Sequence, residues 1–209
     1  MTRSIAIVGI HTGIGKTIAS AVMAEAMDAD YWKPVQAGTE ERDTLVVGQL
    51  LTAGINRVHD EAMLLSQPLS PHAAAAIDNV EVDYTKFAWP KTDNVLLVET
   101  AGGILSPMSA HACMADFVAH YKMPAILVSQ NYLGSINHTL MSIEILKTRG
   151  IRLLGIVMNG VPNKSSEDFI TQYSSIPIIA RIPHFETLDR PLIQAYASDV
   201  KHSLLALQF

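Results

Sequence analysis

The chain has 209 residues and a net charge of −5, with 49% hydrophobic and 17% charged residues, a balance typical of globular proteins. We expect a single domain over residues 1–209. No apolar run approaches the ~20 residues of a bilayer span, and the basic residues are scattered, so we expect neither a membrane nor a nucleic-acid partner. The lone cysteine, Cys113, fits a reducing cytosol, and we expect a cytoplasmic protein.

Short, continuous apolar runs recur along the chain and predict parallel strands that are covered on both faces. The predicted strands are Ser4–Val8, Asp30–Lys33, Val95–Val98, Ala125–Ser129, Leu153–Met158 and Ile176–Ala180. The predicted helices are Lys16–Met27, Asp43–Ala53, Pro71–Ile77, Ala112–Tyr121, Ile136–Arg149, Lys164–Tyr173 and Asp199–Leu207. Because the two kinds of element alternate, the sequence predicts an α/β fold: a doubly wound, mostly parallel sheet with helices on both faces and with ligands at the carboxyl ends of the strands.

A glycine-rich segment, Gly9–Thr17, joins the first predicted strand to the first helix. Its three glycines allow a tight turn that points backbone N–H groups inward, and the helix dipole adds positive potential. Lys16 would reach the β- and γ-phosphates of a nucleotide, and the Thr17 hydroxyl would bind Mg²⁺. The loop is one residue longer than the usual pattern, yet strand, Gly-Lys-Thr and helix together predict an ATP-binding P-loop. The other residues expected to bind the nucleotide here are Gly13, Ile14, Gly15 and Ile18.

Polar residues end three of the predicted strands, where ligands are expected. Glu99 offers Mg²⁺ a hard oxygen ligand, and the glycines after it allow the backbone to approach a nucleotide. Lys33 ends the second strand, beside the phosphate loop in this topology. The Asn159 amide matches the N6/N7 edge of adenine. The alternative for Asn159 is a structural Asn-Gly turn with Gly160.

Five further motifs, in chain order, resemble those of dethiobiotin synthetases. They are WKPVQAG at residues 32–38, SPH at 70–72, VETAGG at 98–103, LGSINH at 133–138 and GIVMN at 155–159. The longer phosphate loop also resembles the family's loop. The resemblance covers about the first three-quarters of the chain, with a weaker echo at Ile182–Pro183, and only the P-loop is specific by itself.

The resemblance implies roles for individual residues. Lys33, Lys16 and Thr12 would be catalytic, with Lys33 acting on the substrate carbamate and on the phosphoryl group. Asp43 would join Thr17 and Glu99 at Mg²⁺, although Glu40 or Glu41 is an alternative ligand. The remaining residues implied to contact nucleotide or substrate are Gly102, Asn159, Pro183, Ala37, Pro71, Ser135, Ile136 and Asn137. In the family, the helix that begins near Ser135 receives the tail carboxylate of a substrate from the neighbouring subunit, which implies a homodimer with composite sites.

Three residues depart from the family pattern. His11 stands where relatives have Asp, and Ala37 stands where they have Ser. Thr100 replaces a glycine, and we expect its added bulk and hydroxyl to lie near the phosphates. Neither the Ala37 nor the Thr100 change removes a charge that the chemistry needs.

The resemblance implies a reaction of 7,8-diaminopelargonate, CO₂ and ATP. One amine becomes a carbamate, the carbamate oxygen takes the γ-phosphoryl group, and the second amine closes a cyclic urea and releases phosphate. We find no dedicated general base in the sequence. The main alternative is a P-loop switch ATPase of the partitioning or division type, but such proteins carry an extra lysine early in the loop, and residues 10–13 contain none.

Overall fold

Seven parallel strands form the central sheet of the computed structural model, in the order β4-β2-β6-β1-β7-β8-β9. The structure describes residues 3–207; residues 1, 2, 208 and 209, the ends of the predicted domain, lie outside the described residues. The strands are β1 (Ser4–Gly9), β2 (Asp30–Trp32), β3 (Val35–Ala37), β4 (Val58–His59), β5 (Met63–Leu65), β6 (Leu96–Glu99), β7 (Ala125–Gln130), β8 (Leu153–Asn159) and β9 (Ile178–Ile182). Strands β3 and β5 form a separate parallel pair.

Helices cover both faces of this sheet. They are α1 (Lys16–Met27), α2 (Asp43–Leu50), α3 (Pro71–Ile77), α4 (Met114–His120), α5 (Ser135–Thr148), α6 (Lys164–Ser174) and α7 (Arg190–Leu205). Alternate side chains of β1 belong to two cores: Ile5 and Ile7 pack with α1, α2 and α7, and Ala6 and Val8 pack with α3 to α6. The predicted doubly wound, mostly parallel α/β fold is confirmed.

The order of the strands brings three functional segments to one edge of the sheet. Strand β1 lies beside β6, with Ile7 opposite Glu99, and β6 lies beside β2, with Val98 opposite Trp32. The carboxyl ends of these parallel strands therefore place the phosphate loop, Glu99 and Lys33 next to one another.

Helix α7 begins nine residues before the predicted start at Asp199. The Asp189 side chain accepts a hydrogen bond from the backbone N–H of Leu192 at 2.9 Å, and Pro191 lies in the first helical turn. This capping, together with buried Ile193 and Ala197 against α1, starts the helix at Arg190.

The ends of other helices and strands differ from the predicted ends by fewer residues. Helix α4 begins at Met114 and not at Ala112, because the Asp116 carboxylate accepts the Cys113 N–H at 2.8 Å in a capping box. Helix α2 ends at Leu50, before a short 3₁₀ turn. Strand β9 lies two residues later than predicted, and Lys33 falls just beyond β2. Strands β3, β4 and β5 are too short to give a periodic signal and were not predicted.

Asp30 anchors the opposite, amino-terminal edge of the sheet. Its buried carboxylate accepts hydrogen bonds from Arg57, His59 and Asn94. Burial opposes ionisation, but these hydrogen bonds and one from Thr92 outweigh it and hold the pKa of Asp30 below its ordinary value. Within residues 3–207, none of the helices has the length and apolar character needed to cross a bilayer.

Candidate active site

The phosphate loop depends on a close contact between Gly15 and the end of β8. Gly15 adopts a left-handed φ of 81°, and the Asn159 side chain donates a hydrogen bond to the Ile14 carbonyl at 2.7 Å. A Cβ atom on residue 15 would lie 2.0 Å from Asn159 Nδ2. Asn159 therefore fastens the loop from the neighbouring strand, and only glycine fits at position 15.

Lys16 lies buried at the start of α1 and faces the loop that follows β6. Its Nζ donates to the Gly102 carbonyl at 2.7 Å and to the His11 carbonyl at 3.3 Å. Burial lowers the pKa of Lys16 to about 8, a shift that the nearby Glu99 charge opposes. Because this pKa lies above neutrality, the side chain is mostly charged at pH 7 and suits an anionic ligand.

Four side chains from four segments meet beside the loop: Thr17, Lys33, Asp43 and Glu99. We call them the ionic cluster. The Thr17 hydroxyl contacts Asp43 Oδ1 at 2.6 Å and Glu99 Oε1 at 3.2 Å. Lys33 Nζ forms an ion pair with Asp43 Oδ2 and a second one with Glu99 Oε1 at 3.4 Å. Together with Lys16, the cluster places two cationic lysines and two carboxylates around the end of the phosphate loop.

Buried neighbours hold Glu99 in this cluster. Ser20 and Tyr31 donate their hydroxyl hydrogens to Glu99 Oε2 at 2.9 and 3.0 Å, which leaves Oε1 directed at Thr17 and Lys33. Burial and the nearby Glu99 charge raise the pKa of Tyr31 well above its ordinary value, so its hydroxyl remains a donor. Ser20 lies one turn after Thr17 on α1, and this spacing is a signal that the sequence analysis did not use.

Lys33 stays protonated although it is almost fully buried. Burial alone would lower its pKa, but the charges of Glu99 and Asp43 outweigh burial and raise the pKa above the ordinary value. A buried ammonium of this kind is a fixed positive charge, which is the property needed to stabilise a transferring phosphoryl group.

The ionic cluster fits Mg²⁺ when phosphate oxygens complete the coordination. Mg²⁺ is commonly bound by one or two carboxylates together with substrate phosphates, and Thr17, Asp43 and Glu99 supply hard oxygen atoms. Nowhere in residues 3–207 do three His, Cys, Asp or Glu side chains gather into a ready-made metal site. The alternative ligands Glu40 and Glu41 are exposed and outside the cluster.

The predicted substrate residues fall into separate groups. Thr12 and Asn137 line one cavity of about 680 Å³ beside the loop, which has an apolar wall formed by Ile104, Leu140 and Ile145. The cavity that contains Ala37 lies elsewhere, around the loop after β3. Of the other residues expected to contact substrate, Ile136 lines a cavity with Asn137, and Ser135 and Pro71 are buried. Of those expected to contact the nucleotide, Ile14 is buried and Ile18 is half-buried. The Gly102 carbonyl accepts a hydrogen bond from Lys16, and Pro183 follows β9.

One expectation for an individual side chain is wrong. The Thr100 hydroxyl does not lie near the phosphates: Thr100 is buried, and its hydroxyl donates to the Ile7 carbonyl of β1 at 3.2 Å. Ser70 occupies the N-cap position of α3, but its hydroxyl contacts His72 Nδ1 at 2.9 Å and makes no capping hydrogen bond. Pro71, at the first position of the helix, has no N–H and so leaves one fewer unpaired donor at this helix start.

The doubly wound sheet, the glycine loop with Lys16 and Thr17, and the strand-end Glu99 define a P-loop nucleotide-binding protein. A family model described as an AAA domain matches residues 3–192. An ATP-dependent dethiobiotin synthetase of Chlamydia pneumoniae is 43% identical over 200 residues, covering 95% of this chain and 90% of the relative. One of Cytophaga hutchinsonii is 42% identical over 192 residues, covering 91% and 93%. The chain belongs to the dethiobiotin synthetase family.

Solved structures of more distant proteins share the fold. The cell division protein MinD of Aquifex aeolicus aligns with a TM-score of 0.56 and 13% identity, over 100% of this chain and 99% of that chain. MinD of Pyrococcus furiosus aligns with a TM-score of 0.53 and 17% identity, over 97% and 99%. At this identity the likeness shows the architecture alone.

Replacing Gly15 by alanine tests the contact with Asn159. We expect Gly15→Ala to weaken ATP binding at least tenfold, because the new Cβ collides with the Asn159 amide and displaces the loop. Gly13→Ala is the matched control: Gly13 also has a left-handed φ, of 77°, but a Cβ there meets nothing within 4 Å. Both variants carry the left-handed penalty of about 1–2 kcal/mol. Because Gly13 itself lies in the nucleotide loop, Gly150→Ala is a second control: Gly150 has a left-handed φ of 67°, and a Cβ there also meets nothing within 4 Å. An ATP dissociation constant for Gly15→Ala equal to that of Gly150→Ala, measured by calorimetry, would contradict the assigned contact.

Proposed function

We propose that the chain is an ATP-dependent dethiobiotin synthetase, a ligase of biotin biosynthesis that closes the ureido ring of dethiobiotin from 7,8-diaminopelargonate and CO₂. Family membership supports this activity. The observation that carries it is the ionic cluster beside the P-loop. Glu99 contacts both Thr17 and Lys33, at the place where the reaction needs charge stabilisation.

The proposed reaction activates a carbamate by phosphoryl transfer. One substrate amine takes up CO₂, and the carbamate oxygen then takes the γ-phosphoryl group to give a carbamic–phosphoric anhydride. The second amine attacks the carbonyl carbon, and phosphate leaves. This activation is needed because a carbamate oxygen is otherwise a poor leaving group.

The protein contributes chiefly position and charge. Lys16 and Lys33 neutralise the phosphate and carbamate oxygens, and their buried ammonium groups need little rearrangement as charge develops. Thr12, on the wall of the 680 Å³ cavity, would orient the diamine next to the loop. Holding the two reactants side by side in the correct orientation supplies much of the rate gain of such reactions.

Thr17, Asp43 and Glu99 would hold Mg²⁺ in our proposal. Bound there, the ion would neutralise negative charge on the phosphates. The remaining oxygen of Glu99 is held by Ser20 and Tyr31, so this ligand is oriented in advance. Asn159 would contact the adenine base. Its Nδ2 donates a hydrogen bond to the Ile14 carbonyl, and its Oδ1 would accept one from adenine N6.

The cavity beside the loop suits the aliphatic chain of the substrate. Its wall combines apolar Ile104, Leu140 and Ile145 with polar Asn137 in the first turn of α5. The positive end of the α5 dipole would attract a tail carboxylate. The cavity thus offers an apolar wall for an aliphatic chain, and in a composite site its helix N-terminus would hold the tail carboxylate of the substrate that the partner subunit binds.

The production of dethiobiotin is the direct test of this function. With diaminopelargonate, bicarbonate, Mg²⁺ and ATP, we expect dethiobiotin by mass spectrometry and phosphate release that requires the diamine. Lys33→Ala should lower turnover by about 10²- to 10³-fold, the scale for loss of one electrostatic donor. Lys164→Ala is the matched control, because Lys164 is an exposed lysine whose only described ion pair is with Asp168.

Two outcomes would contradict the assignment. Phosphate release that is indifferent to the diamine would favour the alternative of a switch ATPase. Full turnover by Lys33→Ala would remove the proposed role of that lysine.

We further propose a cytoplasmic homodimer with composite sites. Large apolar side chains of α5, α6 and the preceding loops are exposed, and Tyr173, which also lines the substrate cavity, stacks on Phe169. Leu133 and Val161 are among the most exposed. Such a patch is typical of a protein interface.

Sedimentation tests the dimer. We expect twice the chain mass for the unmodified protein and a shift toward monomer for Phe169→Glu, because a charge would enter the interface. Leu205→Glu, an exposed apolar position on the distant helix α7, is the control and should leave the dimer intact. A monomeric unmodified protein at micromolar concentration would contradict the proposal.

A further inference from the structure

Glu61 is a buried carboxylate outside the ionic cluster that binds both sequence neighbours of Asp43. Its side chain is only 2% exposed. Arg42 donates to both Glu61 oxygens, from Nε at 3.1 Å and from Nη2, and the Thr44 hydroxyl donates to Oε1. Because residues 42 and 44 are both attached to one carboxylate, the backbone that carries Asp43 has little freedom to rotate.

The segment that carries Glu61 is itself fixed to the strands that deliver Lys33. The Trp32 indole donates to the Asp60 carbonyl at 3.0 Å. Two residues beyond Glu61, the Met63 N–H donates to the Pro34 carbonyl at 2.9 Å, where β5 begins to pair with β3. Glu61 is therefore an anchored point and not a side chain of a loose loop.

The chain before Asp43 offers little other support. Thr39, Glu40 and Glu41 are exposed, and Arg42, the N-cap residue of α2, makes no side-chain capping hydrogen bond to the helix. The Gln36 side chain adds a restraint on the backbone, because it accepts the Asp43 N–H at 3.2 Å. Glu61 and Gln36 thus hold the backbone of Asp43, while Lys33 and Thr17 contact its carboxylate.

Glu61 also separates charges. The bidentate geometry engages two edges of the Arg42 guanidinium, which is the arrangement that binds a carboxylate most strongly. An unengaged Arg42 would lie next to Asp43 in the chain and compete with Lys33 for its carboxylate. With Arg42 held by Glu61, Asp43 keeps an oxygen for Thr17 and for a cation.

We propose that Glu61 is a positioning residue for the cation site: by holding Arg42 and Thr44 it fixes Asp43 as an oxygen ligand beside Thr17. The inference rests on the proposed function, because it concerns Mg²⁺ bound together with the nucleotide. Partners that orient a metal ligand in this way change metal affinity by about 10- to 100-fold when they are removed.

The test measures the linkage between Mg²⁺ and nucleotide, without turnover. The dissociation constant of the β,γ-imido analogue of ATP is measured by calorimetry with Mg²⁺ and again with EDTA, and the ratio of the two values reports metal binding. We expect Glu61→Gln to reduce this ratio about tenfold. The amide replaces one acceptor oxygen by an N–H donor, which cannot accept a hydrogen bond from Arg42. In EDTA the affinity should equal that of the unmodified protein.

Two further variants separate positioning from stability. Thr44→Val removes one hydroxyl contact to Glu61 without a change of shape, and should lower the ratio in the same direction by a smaller factor. Asp30→Asn is the matched control, since Asp30 is another buried carboxylate with an arginine partner, at the opposite edge of the sheet. It should lower the melting temperature and leave the ratio unchanged.

The outcomes distinguish this inference from the proposed function. An unmodified protein whose nucleotide affinity ignores Mg²⁺ would overturn both the proposed cation site and the role of Glu61. A normal ratio in the unmodified protein that persists in Glu61→Gln and Thr44→Val would overturn the role of Glu61 alone. A ratio that falls equally in Asp30→Asn would show a general effect of destabilisation and would likewise overturn it.

Discussion

The active site depends on one buried electrostatic arrangement, in which the Lys33 ammonium lies between the carboxylates of Asp43 and Glu99. Each of these charges would be strongly destabilising in isolation, because removal of one partner of a buried pair leaves an uncompensated charge at a penalty of about 3–5 kcal/mol. Burial opposes ionisation of Lys33, but the charges of Glu99 and Asp43 outweigh it and raise the pKa of Lys33. The same arrangement that makes burial tolerable places a fixed cation and carboxylate oxygens next to Thr17.

Sheet topology brings these groups together from distant parts of the chain. The adjacent strands β2, β6 and β1 lead to Lys33, Glu99 and the phosphate loop, so parallel pairing alone aligns these three segments. Asp43 follows none of these strands. It reaches the cluster through α2, and the hydrogen bonds of Glu61 and Gln36 supply the alignment that the sheet does not.

The sequence predicted features that depend on local chemistry. Helices α1 and α3 begin and end as predicted, because Gly15 and Pro71 mark their starts, and Glu99 is found where a continuous apolar run ends. The sequence did not predict features that depend on distant partners. The contact of Glu61 with Arg42 spans 19 residues, across strands too short to show a period. The hydroxyl of Thr100 turned toward β1 because the Ile7 carbonyl lies within reach, which no spacing could reveal.

A crystal structure with Mn²⁺, the β,γ-imido analogue of ATP and diaminopelargonate would test the central claim most directly. We predict an anomalous Mn²⁺ peak at about 2.1 Å, the distance typical of Mg²⁺, from the Thr17 hydroxyl and from an oxygen of Asp43 or Glu99. Lys33 Nζ should contact the γ-phosphate or the substrate nitrogen that forms the carbamate. A cation bound away from these oxygens, or Lys33 turned away from both reactants, would contradict the account.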